Sequence, residues 1–113
     1  MNTFELRLHS KYFELIKQGT KTIEMRLLDE KRQEYQVGDI LIFKKRPEEI
    51  ETLRTKIINL HKFKNFAEIY EKFDKVKLGY AENEDANPED MNYFYPVEEQ
   101  EKYGVVGIEI EVI

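Results

Sequence analysis

Gly19-Thr20-Lys21-Thr22-Ile23-Glu24-Met25-Arg26 decides how this 113-residue chain reads. Ile23, Met25 and then Leu27 alternate with Thr22, Glu24 and Arg26, the period of a strand with one apolar and one polar face. Gly19 ends the helix before it, and the charged run from Asp29 through Glu30, Lys31 and Arg32 leads the chain out. Glu24 and Arg26 therefore share a face. Such a face is either an ordinary solvated sheet surface, where Thr, Glu and Arg are at home, or a rigid two-signed surface that recognises a small polar ligand or a nucleotide.

Upstream, Phe4, Leu6 and Leu8 alternate with Glu5, Arg7 and His9, which predicts a first strand. Ser10 stands where a helix N-cap belongs, and Tyr12, Phe13, Leu15 and Ile16 supply the apolar stripe of a short helix that closes at Lys17-Gln18-Gly19. His9, Ser10 and Lys21 come together only if the strands on either side of this helix are neighbours.

Downstream, the charges from Asp29 to Glu34 suit a surface turn or a single helical turn, and Tyr35 to Asp39 a turn that delivers a strand from Ile40 to Phe43. Lys44-Lys45-Arg46-Pro47 ends that strand; lysines there can also guard a sheet edge. Residues 51–63 predict a longer strand that bends or bulges where the alternation slips at Ile57-Ile58. Phe66, Ile69, Tyr70 and Phe73 fall at helical spacing and read as core. A polar segment from Lys75 leads to Asn87-Pro88, a cap and first position for a short helix through Met91, Phe94 and Tyr95. After Pro96 comes an acidic turn, Glu98 to Lys102, and then a closing strand with Val106, Ile108, Ile110 and Val112 on one face.

Composition narrows the function classes. The chain is 41% hydrophobic, with no cysteine and no apolar run long enough to span a bilayer, so neither a membrane segment nor a disulfide framework is expected and the cytoplasm is the default compartment. His9 and His61 are far apart, no calcium-loop spacing occurs, and neither a metal nor a cofactor is expected. The net charge of −5 argues against a non-specific nucleic-acid binder, but it is unevenly spread. Residues 1–64 carry 14 Lys and Arg against 10 Asp and Glu, whereas residues 65–113 carry 4 against 13. That polarity leaves room for a basic face or a focused pocket.

Strands of irregular spacing with short helices between them do not fit a parallel βαβ sheet. They predict an α+β fold: a small, mostly antiparallel, partly closed β-barrel decorated with short helices, one domain across residues 1–113. The helix, the Gly19–Arg26 stretch, Val37-Gly38-Asp39-Ile40-Leu41-Ile42-Phe43 and Tyr103-Gly104-Val105-Val106-Gly107-Ile108-Glu109 together resemble the ASCH family, and small bacterial ASCH proteins among its members. The resemblance implies a PUA-like barrel, similar in layout to RNA-binding PUA domains, with RNA or a nucleotide bound in a cleft lined by the Lys, Glu and Arg of the motif. Carried onto this chain, it singles out Lys21, Glu24 and Arg26, with Asp29, Lys31 and Arg32 as rim residues.

Those residue types suit the task. Lysine offers a mobile point charge, arginine a planar fork for phosphate, and glutamate an acceptor for an amino group on a base edge. Residues two apart in a strand lie about 6.6 Å apart along it, so a direct Glu24–Arg26 bond is not expected. Tyr103 and Tyr95 are candidates to stack on a base, although both stand beside apolar partners that they could simply pack against. The resemblance extends to small amidohydrolases that deacetylate acetylated cytidine with a lysine, a threonine and a loop glutamate. Here Lys21 matches the lysine, Glu24 stands at the threonine position, and the loop glutamate is Glu84 or Glu82. Without the hydroxyl nucleophile, such an enzyme would need Glu24 as general base toward water, and a binding module is the leading expectation.

Overall fold

The computed structural model describes residues 1–113. Strand β1 (Thr3–Leu8) leads into helix α1 (Ser10–Gln18), and β2 (Ile23–Leu27) follows directly. After a single 3-10 turn at Arg32–Glu34 come β3 (Ile40–Lys45) and β4 (Thr52–Phe63). Helices α2 (Phe66–Lys72) and α3 (Lys75–Leu78), a 3-10 helix at Pro88–Tyr93 and α4 (Val97–Tyr103) precede the last strand, β5 (Val105–Val112).

The five strands form one sheet in the order β1-β3-β4-β5-β2. Only β1 and β3 run parallel; the other three pairings are antiparallel, which gives the mixed, curled half-barrel of an α+β fold. Because β1 and β2 are the two edges, β3 is an inner strand. Its lysines therefore do not guard an edge; Lys45 instead pairs with Glu14 of α1 at 2.8 Å. The slip expected at Ile57-Ile58 is a register shift in the β4–β5 ladder between Ile57 and Asn59, where a bulge lets the long strand bend.

Two apolar clusters hold the layers together. The first packs Phe13 and Ile16 of α1 against Leu41, Phe43, Ile57, Ile108 and their neighbours on the sheet. In the second, Ile23, Met25 and Leu27 of β2 meet Phe66 and Ile69 of α2 together with Leu78 and Met91. Burying each side chain of this size contributes about 1.5–3 kcal/mol, so α1 and α2 are fixed by their apolar stripes more than by intrinsic propensity.

Three local expectations are corrected. His9 caps α1, its Nδ1 accepting from the Lys11 amide at 3.1 Å, and Ser10 is the first helical residue. The polar stretch after Phe73 contains α3, capped by the Asp74 side chain on the Val76 amide at 2.9 Å. The acidic segment after Pro96 is a helix, α4, because Glu98 and Glu99 sit favourably at its positive end and Lys102 in its last turn. Gly19 does end α1, in the left-handed conformation at φ 89°, and this tight cap turns the chain straight into Lys21 and β2.

Candidate functional site

The sheet is open between its two edges, and Arg26 reaches across the opening. Its Nη2 donates to the Arg7 carbonyl of β1 at 3.1 Å, tying β2 to the opposite edge without a ladder. Over this seam lies a cavity of about 510 Å³. That volume falls in the ~300–1,000 Å³ range typical of small-molecule sites.

The floor is Lys21, Glu24 and Arg26. Ile23, Met25 and Leu27 turn one face of β2 to the second apolar cluster, so the alternation sends Glu24 and Arg26 to the other. That face is buried rather than solvated: the Lys21 and Glu24 side chains are 4% and 7% exposed and that of Arg26 17%. Lys21 Nζ donates to the carbonyls of Ile23 at 2.7 Å and Leu78 at 2.9 Å and stands 3.3 Å from Glu24 Oε1. All three ammonium protons have partners, so Lys21 is a fixed strut between β2 and α3 rather than a mobile arm. Contrary to the spacing argument, Glu24 and Arg26 do bond, Arg26 Nε to Glu24 Oε2 at 2.7 Å. Both side chains lean along the strand on the same face, and the length of the arginine closes the gap that separates the backbones.

These three groups carry a net charge of +1 in a dry place, and their titration follows from that. Burial and the surplus positive charge hold Lys21 below its usual range; the Glu24 carboxylate opposes this only in part. Burial alone would raise the Glu24 pKa, but Arg26 and Lys21 outweigh it and hold the carboxyl below 4.5. Desolvation of Arg26 is likewise outweighed by Glu24, so the guanidinium stays charged. With Nε on Glu24 and Nη2 on Arg7, the guanidinium is locked in one plane, and its remaining N–H groups are left for whatever enters the cavity.

The walls are aromatic and the mouth is basic. Tyr12 from α1, Tyr70 from α2, and Tyr80, Phe94 and Tyr95 from the segments after α3 line the sides. Tyr95 packs on Phe66, rings 6.0 Å apart and 20° from parallel, while still lining the cavity. Arg7, Lys11 and Arg46 stand at the exposed mouth. Arg7 is held by Glu49 at 3.1 Å, whereas Arg46 makes no ion pair. All five lining cations come from the basic first half of the chain; two of the three lining carboxylates, Glu84 and Asp90, come from the acidic second half. The charge asymmetry of the sequence thus meets at this cavity.

Lys21, Glu24, Arg26 and Glu84 are brought together around it. Glu84 stands half-buried at the rim, its Oε1 accepting from the Ala81 amide at 2.7 Å and its Oε2 3.9 Å from Lys11 Nζ. Asp29, Lys31, Arg32 and Tyr103 do not line it. Asp29 Oδ1 accepts from the Arg32 amide at 3.1 Å just ahead of the 3-10 turn, and Lys31 is exposed. Tyr103 bonds to Glu30 at 3.3 Å beside a second, wider hollow of about 900 Å³. Glu82 is exposed outside the cavity. No group of three or more His, Asp or Glu side chains is placed to hold a metal ion, and no helix is long and apolar enough to cross a membrane.

Arg46, Tyr12, Tyr70, Tyr80 and Asp90 escaped the sequence reading. Tyr12 and Tyr70 sit in helical stripes that read as packing, Arg46 in the cationic run that ends β3, and Tyr80 and Asp90 where no pattern points to a site. Only the surplus of tyrosines, seven in the chain, hinted at an aromatic-walled site.

Comparison with known proteins agrees with this architecture. The crystal structure of hypothetical protein PH0355 superposes with a TM-score of 0.82 at 36% identity, over 100% of both chains. The solution NMR structure of protein PF0455 from Pyrococcus furiosus gives 0.76 at 31% identity, over 100% of this chain and 98% of the other. No curated protein matches the chain. The ASCH domain model matches residues 6–113, which takes in the sheet except the first three residues of β1 and every residue of the cavity, and the protein is therefore a member of the ASCH family.

Proposed function

We propose that this ASCH domain binds RNA or a nucleotide and that the cavity over the β1–β2 seam holds one nucleotide. The observation that carries this reading is the combination in one cavity of aromatic walls, a rigid cationic floor and an unpaired arginine at the mouth. A base gains from the tyrosine faces, which favour any π-system. Arg26 presents fixed N–H groups to a carbonyl or ring nitrogen, as a locked guanidinium reads a base edge. Arg46 and Lys11 are positioned for a phosphate that stays near solvent.

Titration with nucleoside monophosphates and short single-stranded RNAs at several salt concentrations tests this. Affinity is expected to fall as salt rises and to drop when Lys21 and Arg26 are both replaced by alanine; unchanged binding in that double variant overturns the site. Arg46→Ala leaves the buried triad intact and keeps the test informative if the double variant does not fold.

A second reading, hydrolysis of a nucleoside amide, draws support from Lys21 and Glu84 lining the same cavity. Water would add to the acyl carbon and the amine would leave with a proton. The floor argues against Glu24 as the base, because a carboxylate held by two cations below its usual range is a weak proton acceptor. Incubation of the protein with acetylated cytidine, with product formation followed by chromatography, decides between them: release of acetate and cytidine establishes the enzyme.

A further inference from the structure

One wall of the cavity carries a hydrogen-bonded chain that the floor does not need. Tyr70 Oη lies 2.7 Å from Tyr80 Oη, and Tyr80 Oη lies 2.8 Å from Asp90 Oδ2. All three residues line the cavity, and they come from three separate elements: α2, the turn after α3 and the 3-10 helix.

The order of the protons along this chain is fixed by chemistry. An ionised carboxylate only accepts, so the single Tyr80 proton goes to Asp90, and the hydrogen bond between the phenols must then be donated by Tyr70. Burial first, and then the bonds to Tyr70 and Asp90, push the Tyr80 hydroxyl above its ordinary value of 10.0, so it does not ionise near neutral pH. Burial likewise raises Tyr70. Both protons are therefore committed within the wall. What remains toward the cavity is lone pairs alone, on Tyr70, on Tyr80 and on the exposed carboxylate of Asp90.

Lys21 and Arg26 have the opposite character, since neither side chain has any acceptor. The cavity thus sets the free N–H groups of Arg26 on its floor against an acceptor-only stretch of wall. A ligand group without a donor, placed against that wall, would take water from the carboxylate and the phenol oxygens without replacing it.

Resting on the reading of the cavity as a nucleotide site, we propose that the Tyr70–Tyr80–Asp90 chain is its specificity-determining element and selects ligands that present a hydrogen-bond donor to it. In a nucleotide that donor is either an exocyclic amine of the base or the 2′-hydroxyl of the ribose.

The experiment separates the two sources. Adenosine and cytidine 5′-monophosphates are titrated calorimetrically beside their 2′-deoxy forms and beside the purine and pyrimidin-2-one riboside 5′-monophosphates, which lack the amine. Wild-type protein is expected to lose about tenfold in affinity on removal of one of these donors, the order of discrimination expected when a polar group is covered without a partner from the ligand. In Tyr80→Phe, which frees the Tyr70 proton, and in Asp90→Ala, which removes the carboxylate and frees the Tyr80 proton, the same pair of ligands should bind within about twofold of each other, because the wall is no longer acceptor-only. Circular dichroism checks that both variants are folded. If wild-type protein binds these nucleotides with no preference for either donor, or if both variants keep the wild-type preference, the specificity proposal is overturned while the nucleotide site stands. If wild-type protein binds none of the ligands, both readings fall.

Discussion

Lys21 Nζ and Glu24 Oε1 lie 3.3 Å apart beneath the cavity, and the other oxygen of Glu24 is 2.7 Å from Arg26 Nε, so one buried carboxylate serves two cations. Removing the carboxylate strands two positive charges, whereas removing the lysine leaves a complete Glu24–Arg26 pair. Glu24→Ala is therefore expected to lose about 3–5 kcal/mol, the usual result of breaking a buried ion pair from one side. Lys21→Met should lose less, about 1–3 kcal/mol, chiefly for the carbonyls of Ile23 and Leu78 left without a donor. Urea unfolding of the two variants against wild type measures the order, and an equal loss in both would show that the lysine contributes as much as the carboxylate.

The same triad sets a pH dependence. The folded-state pKa of Glu24 lies below its unfolded value, so the chain gains stability from it above the unfolded pKa and loses it as pH falls through the folded value. Lys21 is also lowered, so the folded form gives up its proton before the unfolded chain does, and its contribution again rises with pH, here toward 10.5. Wild-type stability should fall steeply below about pH 4, through the carboxylate window, and Glu24→Gln should flatten that limb. Urea midpoints measured between pH 7 and pH 2 read the two slopes directly.

Much of the fold was legible because the first half of the chain obeys simple periods. The alternation of β1 and β2, the stripe of α1 and the αL glycine at Gly19 are local signals, and the slip at Ile57-Ile58 announced the β4 bulge. Strand order was not legible. Nothing local says that β1 pairs parallel to β3 or that β1 and β2 become the two edges, because pairing is decided by burial of the whole sheet. The site divides along the same line. Lys21, Glu24 and Arg26 lie on one short stretch and could be singled out together. Arg46 and the Tyr70–Tyr80–Asp90 wall reach the cavity only through long-range packing, and the Glu24–Arg26 bond depends on side-chain reach that residue spacing alone does not reveal.

Gly79 is where the backbone comes close to the floor. It has φ 113°, and a Cβ there would stand 3.2 Å from Lys21 Cδ and 3.3 Å from the Tyr12 ring. Gly79→Ala combines the cost of a left-handed backbone with pressure on the lysine that bridges β2 to α3, and should lose about 1–3 kcal/mol. The displaced lysine would also disturb the cavity floor. Thermal unfolding gives the first effect, and nucleotide affinity in the folded variant gives the second.

The mouth offers a test that leaves the core untouched. Arg46 and Lys11 are exposed; Arg46 makes no ion pair, and Lys11 has only a long 3.9 Å contact with Glu84. If they face the backbone of a single-stranded RNA, each contact releases about 0.7 of a counterion, so Arg46→Ala and Lys11→Ala should each lower the slope of log affinity against log salt by about that amount. Arg7 is already neutralised by Glu49 at 3.1 Å, and Arg7→Ala should change the slope less. Lys62 borders the second hollow instead, so Lys62→Ala should leave the slope as in wild type. A slope that responds to Lys62 and not to Arg46 would move the nucleic-acid track to that hollow, because salt dependence follows the charges that actually meet phosphate.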